Sequence, residues 1–271
     1  MDTKTDDTRW WQSLWAALMF FTRLPLWRIY QPPMQAYRAV VEYWPIAGWL
    51  TGGVMAAVIY LGSMMLPMAV AVVLAIIARI LLTGALHEDG LADFFDGFGG
   101  GGGDRQRVLD IMKDSRIGTF GVLAIVFQSL ILWACLSSLT PSIAALTVFA
   151  ADPYCKMVTA QLSQLMPYAR TEATAKSHVV YRRMSVRAGL LLFMQGMLPL
   201  ILLLWLHGDV IRWEYIVFTP CIVFYFLYLY IWNRLRGYTG DCCGAVFLLT
   251  ETSFYLVVTY CVYSHNLALS I

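Results

Sequence analysis

From Trp44 onward, apolar runs of about twenty residues alternate with short polar stretches. Seven runs stand out, at approximately 44–66, 68–86, 119–139, 142–165, 188–206, 214–232 and 244–263. At about 1.5 Å per helical residue, each is long enough to cross a hydrocarbon core. The earlier run 10–21 is too short for that. It ends at Arg23 and Pro25 and reads as an amphipathic helix lying at the membrane interface. The pattern predicts an all-α integral membrane protein with about seven transmembrane helices plus an N-terminal interfacial helix.

Composition supports this picture: 59% of the 271 residues are hydrophobic and 13% are charged, against about 25% charged in soluble domains. The net charge of +2 gives no reason to expect nucleic acid as a partner. The bilayer is the expected surrounding, and a homo-oligomer is compatible with it. No repeat of fixed period and no long linker divide the chain, so one polytopic domain is expected over 1–271. The N-terminus lacks the basic region and small-residue cleavage site of a secretory signal. The cysteines (Cys135, Cys155, Cys221, Cys242, Cys243, Cys261) include no CxxC pair. They read as free thiols in a reducing setting, not as a zinc site.

The positive charges fall in alternate loops. Lys4, Arg9, Arg23, Arg28 and Arg38 precede the first run. Arg105, Arg107, Lys113 and Arg116 lie between the second and third. Arg170, Lys176, Arg182, Arg183 and Arg187 lie between the fourth and fifth, and Arg234 and Arg236 between the sixth and seventh. The intervening loops hold only Arg212. By the positive-inside rule the N-terminus and every polar, charge-rich segment are cytoplasmic, and the C-terminus is outside.

One polar segment dominates. The stretch 86–121, LHEDGLADFFDGFGGGGGDRQRVLDIMKDSRIGTFG, carries Glu88, Asp89, Asp93, Asp96, Asp104, Asp110 and Asp114, seven of the 17 acidic residues. Asp89, Asp93 and Asp96 share one face of a helix, at i, i+4 and i+7. Like charges at that spacing repel by a few tenths of a kcal/mol, and a carboxylate deep in a span costs about 2.5–3.5 kcal/mol. A hard divalent cation such as Mg²⁺ relieves both. The glycine run 98–103 breaks regular structure, Asp104 caps a second helix over 105–115, and Asp110 and Asp114 lie on its acidic stripe. Two acidic helices facing each other across a glycine hinge would share metal ions through Glu88, Asp89, Asp93, Asp96, Asp110 and Asp114. Arg107, Lys113 and Arg116 would then meet the oxygens of a phosphate group, Lys113 and Arg116 as catalytic residues. The alternatives are a solvated acidic loop and the ion site of a cation transporter, although the carboxylates cluster at one membrane face.

Three further features bear on chemistry. Asp152 and Lys156, four residues apart inside the fourth run, either pair with each other or leave Lys156 to contact phosphate. Arg79, inside the second run, either reaches the acidic segment or snorkels. Asp241, between Gly240 and Gly244, is a metal ligand, or the base orienting an attacking hydroxyl, or a cap on the seventh run.

The pattern D-G-x-x-D-x-x-D-G followed by D-x-x-x-D is similar to the CDP-alcohol phosphatidyltransferases, whose A-R pair is not reproduced. A closer resemblance spans most of the chain. ALHEDGLADFFDGF, RVLDIMKDSRIGTFGVLA and RGYTGDCCGAVFLLTE, with RLP at Arg23–Pro25 and PYAR at Pro167–Arg170, resemble the cobalamin synthases, the adenosylcobinamide-GDP ribazoletransferases of bacterial inner membranes. That resemblance implies transfer of the cobinamide phosphate of adenosylcobinamide-GDP to α-ribazole or its 5′-phosphate, with release of GMP and a need for Mg²⁺. Arg107, Lys156, Arg170 and Arg234 become candidate substrate contacts, and Asp241 a catalytic residue. Two departures stand out: TEATAK at 171–176 replaces an expected glycine-rich continuation of PYAR, and Arg236 stands where a glycine is expected before GYTGD.

Overall fold

The computed structural model describes residues 8–170 and 181–270; Lys4 and the 171–176 departure lie outside them. The short first helix is α1 (Trp10–Phe21), followed by 3₁₀ segments Leu26–Arg28 and Met34–Tyr43. The expected spans fold as α2 (Trp44–Gly62), α3 (Met68–Thr83), α6 (Thr119–Ser137), α7 (Pro141–Ala160), α9 (Val186–His207), α10 (Trp213–Leu235) and α11 (Gly240–Leu269). The acidic segment supplies α4 (Leu86–Gly100) and α5 (Arg105–Ile111), and α8 (Leu162–Leu165) is a single turn after α7. Proline opens α2 and α7 in their first turn, where its missing N–H leaves no helical bond unmade. All six cysteines are free.

Among the described residues, five helical stretches are long and apolar enough to cross a membrane: the continuous run Met34–Gly62, α6, α9, α10 and α11. A sixth is added if α3 and α4 count as one bent span. The expected count of seven is not reached on those terms. The reason is α7, of whose 20 residues 15 are buried. It sits at the centre of the bundle and meets other helices, so its composition need not match lipid. By contrast α10 buries few residues and turns Phe218, Ile222, Tyr225 and Phe226 outward.

The charges that α3, α7 and α11 carry into the bundle at Arg79, Asp152, Lys156 and Glu251 are closed into pairs, as a low-dielectric setting demands. Lys156 pairs with Asp152. Thr51 of α2 donates to Asp152 Oδ2 at 2.7 Å and accepts from Lys156 Nζ at 2.9 Å. Arg79 neither snorkels nor bonds the acidic segment: its Nη1 donates to both carboxylate oxygens of Glu251 on α11, at 2.7 and 2.8 Å.

The corner between α3 and α4 sets up everything that follows. Gly84 (φ 65°) and Ala85 (φ 58°) both adopt the left-handed conformation, and the chain turns through 89° into α4. The second expected span therefore stops at Thr83. Arg23, from the RLP motif, donates its backbone N–H to Leu82 O at 2.7 Å. Its side chain lies across Gly84, leaving no room for a Cβ there.

The glycine run proves helical through Gly100. Val108 and Met112 sit over Gly101 and Gly97, so packing holds what propensity disfavours. Asp104 does cap α5, accepting from Gln106 N at 2.8 Å and Arg107 N at 3.4 Å. That helix ends at Ile111, short of the expected 115.

Candidate active site

The first turns of α4 and α11 cross backbone to backbone. A Cβ on Gly90 would stand 3.1 Å from Asp241 O and 3.3 Å from Gly244 Cα, and one on Gly244 would stand 3.1 Å from His87 O. Small residues permit this approach, and it brings the acidic segment against the start of the last helix. Asp89 and Asp241 flank the crossing.

A second join lies beside it. Ala169 N donates to Tyr238 O at 2.8 Å, and Tyr238 N donates to Pro167 O at 3.0 Å. These bonds stitch the PYAR turn to the GYTGD segment. Arg105 spans the join, with Nε on Leu235 O and Nη2 on Ala169 O, both at 2.7 Å. Arg170 Nη2 donates to Leu109 O at 3.0 Å. Burial, reinforced by the Asp241 carboxylate, pushes the Tyr168 phenol up to about 12, so it remains a hydrogen-bond donor at neutral pH. Arg236 has φ 51°, which accounts for the glycine expected there: a left-handed residue with a side chain costs about 1 kcal/mol or more. Its guanidinium lies 5.6 Å from the Trp232 ring centroid.

Both joins border one cavity of about 160 Å³. Asp89, Asp241, Arg170 and Tyr168 line it, together with Ser163 of α8 and Thr159 at the end of α7. Its apolar lining comes from Phe20 and Phe21 of α1, Val41, and Trp44 of α2. Tyr181, which begins the second described stretch, also lines it.

Of the residues singled out from sequence, this cavity brings together Asp89, Arg170 and Asp241. The others lie elsewhere. Asp96 accepts from Gly118 N at 2.6 Å and Gly121 N at 2.9 Å, so it caps α6. Asp110 accepts from Gln106 at 2.9 Å. Asp114 is held by Arg116 at 2.7 Å, and those hydrogen bonds pull its carboxyl down to about 2. Asp110, Arg107, Lys113 and Arg116 are exposed and outside the cavity lining. Glu88 is buried, with Oε2 unpartnered among the described residues, and neither it nor the half-buried Asp93 lines the cavity. Lys156 is buried in its pair with Asp152, also away from the lining. Arg234 donates to Phe98 O at 3.0 Å and lies against the Phe98 and Tyr230 rings. The helices of the acidic segment therefore meet through Val108, Met112 and glycine, not through facing carboxylates. Sequence reasoning missed Arg105, Thr159 and His87. Tyr168 was visible only as the neighbour of Arg170.

Among the described residues, no three His, Cys, Asp or Glu side chains converge where a metal ion could sit. The expected six-carboxylate site is not assembled. What remains fits Mg²⁺ in a narrower way, because that ion is commonly held by one or two carboxylates plus substrate phosphates. Asp89 and Asp241 line one cavity, and two carboxylates beside a bound phosphate would suit that ion.

Comparison with known proteins places these features. The adenosylcobinamide-GDP ribazoletransferase of Ralstonia pickettii (strain 12J) is 37% identical over 235 residues, covering 86% of this chain and 90% of the relative. Those of Leptospira interrogans and Shewanella baltica (strain OS155) are 32% and 34% identical, covering 92% and 89% of this chain and 95% and 91% of the relatives. No solved structure matches. The family model for cobalamin-5-phosphate synthase matches residues 13–259, and the chain belongs to that family.

Proposed function

We propose that this chain is a membrane phosphotransferase that moves the cobinamide phosphate of adenosylcobinamide-GDP to the ribose hydroxyl of α-ribazole or its 5′-phosphate, releasing GMP. The hydroxyl oxygen forms the new bond to phosphorus, the bond between that phosphorus and the bridging oxygen of GMP breaks with its electron pair going to GMP, and the hydroxyl proton passes to solvent. The observation carrying this reading is the convergence of Asp89, Arg170 and Asp241 on one cavity. They come from three motifs widely separated in the chain, and their charges suit a pyrophosphate and an attacking alcohol.

Arg170, anchored through Nη2 on Leu109 O, keeps an unpartnered Nε among the described residues and supplies a donor to the phosphate oxygens. Asp241 orients the acceptor hydroxyl by taking its hydrogen bond. Tyr168, held protonated, is a second donor beside it. Asp89 and Asp241 are the residues that would hold Mg²⁺, which when bound neutralises pyrophosphate charge. The cavity lies where α7 ends and α4 and α11 begin. Their basic flanking loops support a location of this end at the cytoplasmic face of a bacterial inner membrane, where guanine nucleotides are available.

The test is the full chain reconstituted in liposomes with adenosylcobinamide-GDP and α-ribazole. GMP release should require a divalent cation and fall at least 100-fold in Asp89→Asn and Asp241→Asn, as loss of a transition-state contact does. CDP-diacylglycerol should give no CMP. Absence of GMP release, or full activity in Asp241→Asn, would overturn the assignment.

A further inference from the structure

We infer that the aromatic part of this cavity seats the flat base of the acceptor nucleoside, with His87 Nε2 reading the base's free ring nitrogen. The inference rests on the ribazole-transfer reading above and adds which substrate enters the cavity.

Three rings line up along one side. Phe21 and Trp44 stack at 5.2 Å with an interplanar angle of 11°, and Trp44 and His87 follow at 6.1 Å and 18°. The free edges and any uncovered face of such a stack can meet a planar heterocycle. At about 160 Å³ the space is below the usual range for drug-sized ligands. It suits a bicyclic base and excludes a corrin.

Three residues of the lining also carry buried polar atoms without a partner among the described residues. Trp44 Nε1, His87 Nε2 and Thr159 Oγ1 are buried and unpartnered among the described residues, and all three residues line this cavity. Their exposures are 3%, 4% and 0%. A buried donor or acceptor left unmade costs about 1–3 kcal/mol, so three around one space point to a ligand that completes them. A benzimidazole nucleoside has the matching complement. Its one unglycosylated ring nitrogen accepts from the His87 N–H, and its ribose hydroxyls can both donate and accept. Asp241 lines the same cavity, so a ribose attached to a base seated there has that carboxylate within the same space.

The test compares the parent with His87→Phe, which keeps a ring against Trp44 and removes Nε2. The KM for α-ribazole should rise about 10- to 100-fold, the worth of one buried hydrogen bond and its orphaned partner, with the KM for adenosylcobinamide-GDP unchanged. An acceptor riboside with a CH in place of the free ring nitrogen should be discriminated against by the parent and not by the variant. Calorimetric titration with α-ribazole alone should show the same loss of affinity. If turnover proceeds with the α-ribazole KM unmoved, or if only the donor KM rises, the base seat is wrong. If the parent releases no GMP at all, the functional reading fails instead, and the titration still decides whether α-ribazole binds through His87.

Discussion

Replacing Glu251 by Gln probes the buried ion pair that ties α3 to α11. Arg79 and Glu251 side chains are 4% and 0% exposed, and Tyr255 also donates to Glu251 Oε1, at 2.8 Å. Glutamine keeps the shape and removes the charge, leaving the guanidinium buried without a counterion. Breaking such a pair from one side costs about 3–5 kcal/mol. For a chain near this size each kcal/mol moves the melting point by about 2–4 °C, so Glu251→Gln should melt roughly 6–20 °C below the parent. The electrostatic influence of Glu88 and Asp152 on Arg79 favours the lower end. The Arg79→Met/Glu251→Met double variant should recover most of the loss, because two apolar side chains leave no charge stranded. Thermal melts in detergent, followed by far-ultraviolet circular dichroism, measure both. A single variant within about 2 °C of the parent, or a double variant worse than either single, would refute the claim that the pair's closure governs stability.

Four further outcomes follow from particular contacts. Gly90→Ala places a Cβ against Asp241 and Gly244 backbone and should cost about 1–3 kcal/mol with a matching fall in GMP release. Gly53→Ala meets only the Phe149 ring at 3.8 Å and should be neutral or stabilising by up to about 1 kcal/mol in the same melts. Asp96→Ala removes the acceptor for two backbone N–H groups of α6 and should cost about 1–2 kcal/mol, with Asp96→Asn milder. Asp114→Asn should leave GMP release within about twofold, since the pair is exposed and distant from the cavity. Because the folded carboxyl lies at about 2, below its ordinary value, its contribution is present above the ordinary carboxylate range and fades as pH falls towards 2. Melts across that acid range should therefore fall less steeply in the variant.

The linear pattern was enough for the helices, because apolar runs in lipid must satisfy their own backbone bonds and their length follows from the bilayer. It also marked the acidic segment, the PYAR turn and the GYTGD segment, since charge and glycine in apolar surroundings are conspicuous wherever they fold. The six carboxylates expected to share metal do not converge among the described residues, for a physical reason. Helical spacing shows which residues share a face, but not what that face meets. Asp96 shares a face with Asp89, yet it meets the amides at the start of α6. Asp110 and Asp114 are expected on one helical stripe, yet α5 ends at Ile111 and Val108 and Met112 are what pack on α4. Only the tertiary structure decided these partners, through the corner at Gly84–Ala85 and the Gly90–Gly244 crossing. That crossing carried Asp241 across some 150 residues of sequence to the side of Asp89. Neither spacing nor composition encodes such a meeting, because it depends on how closely two backbones approach.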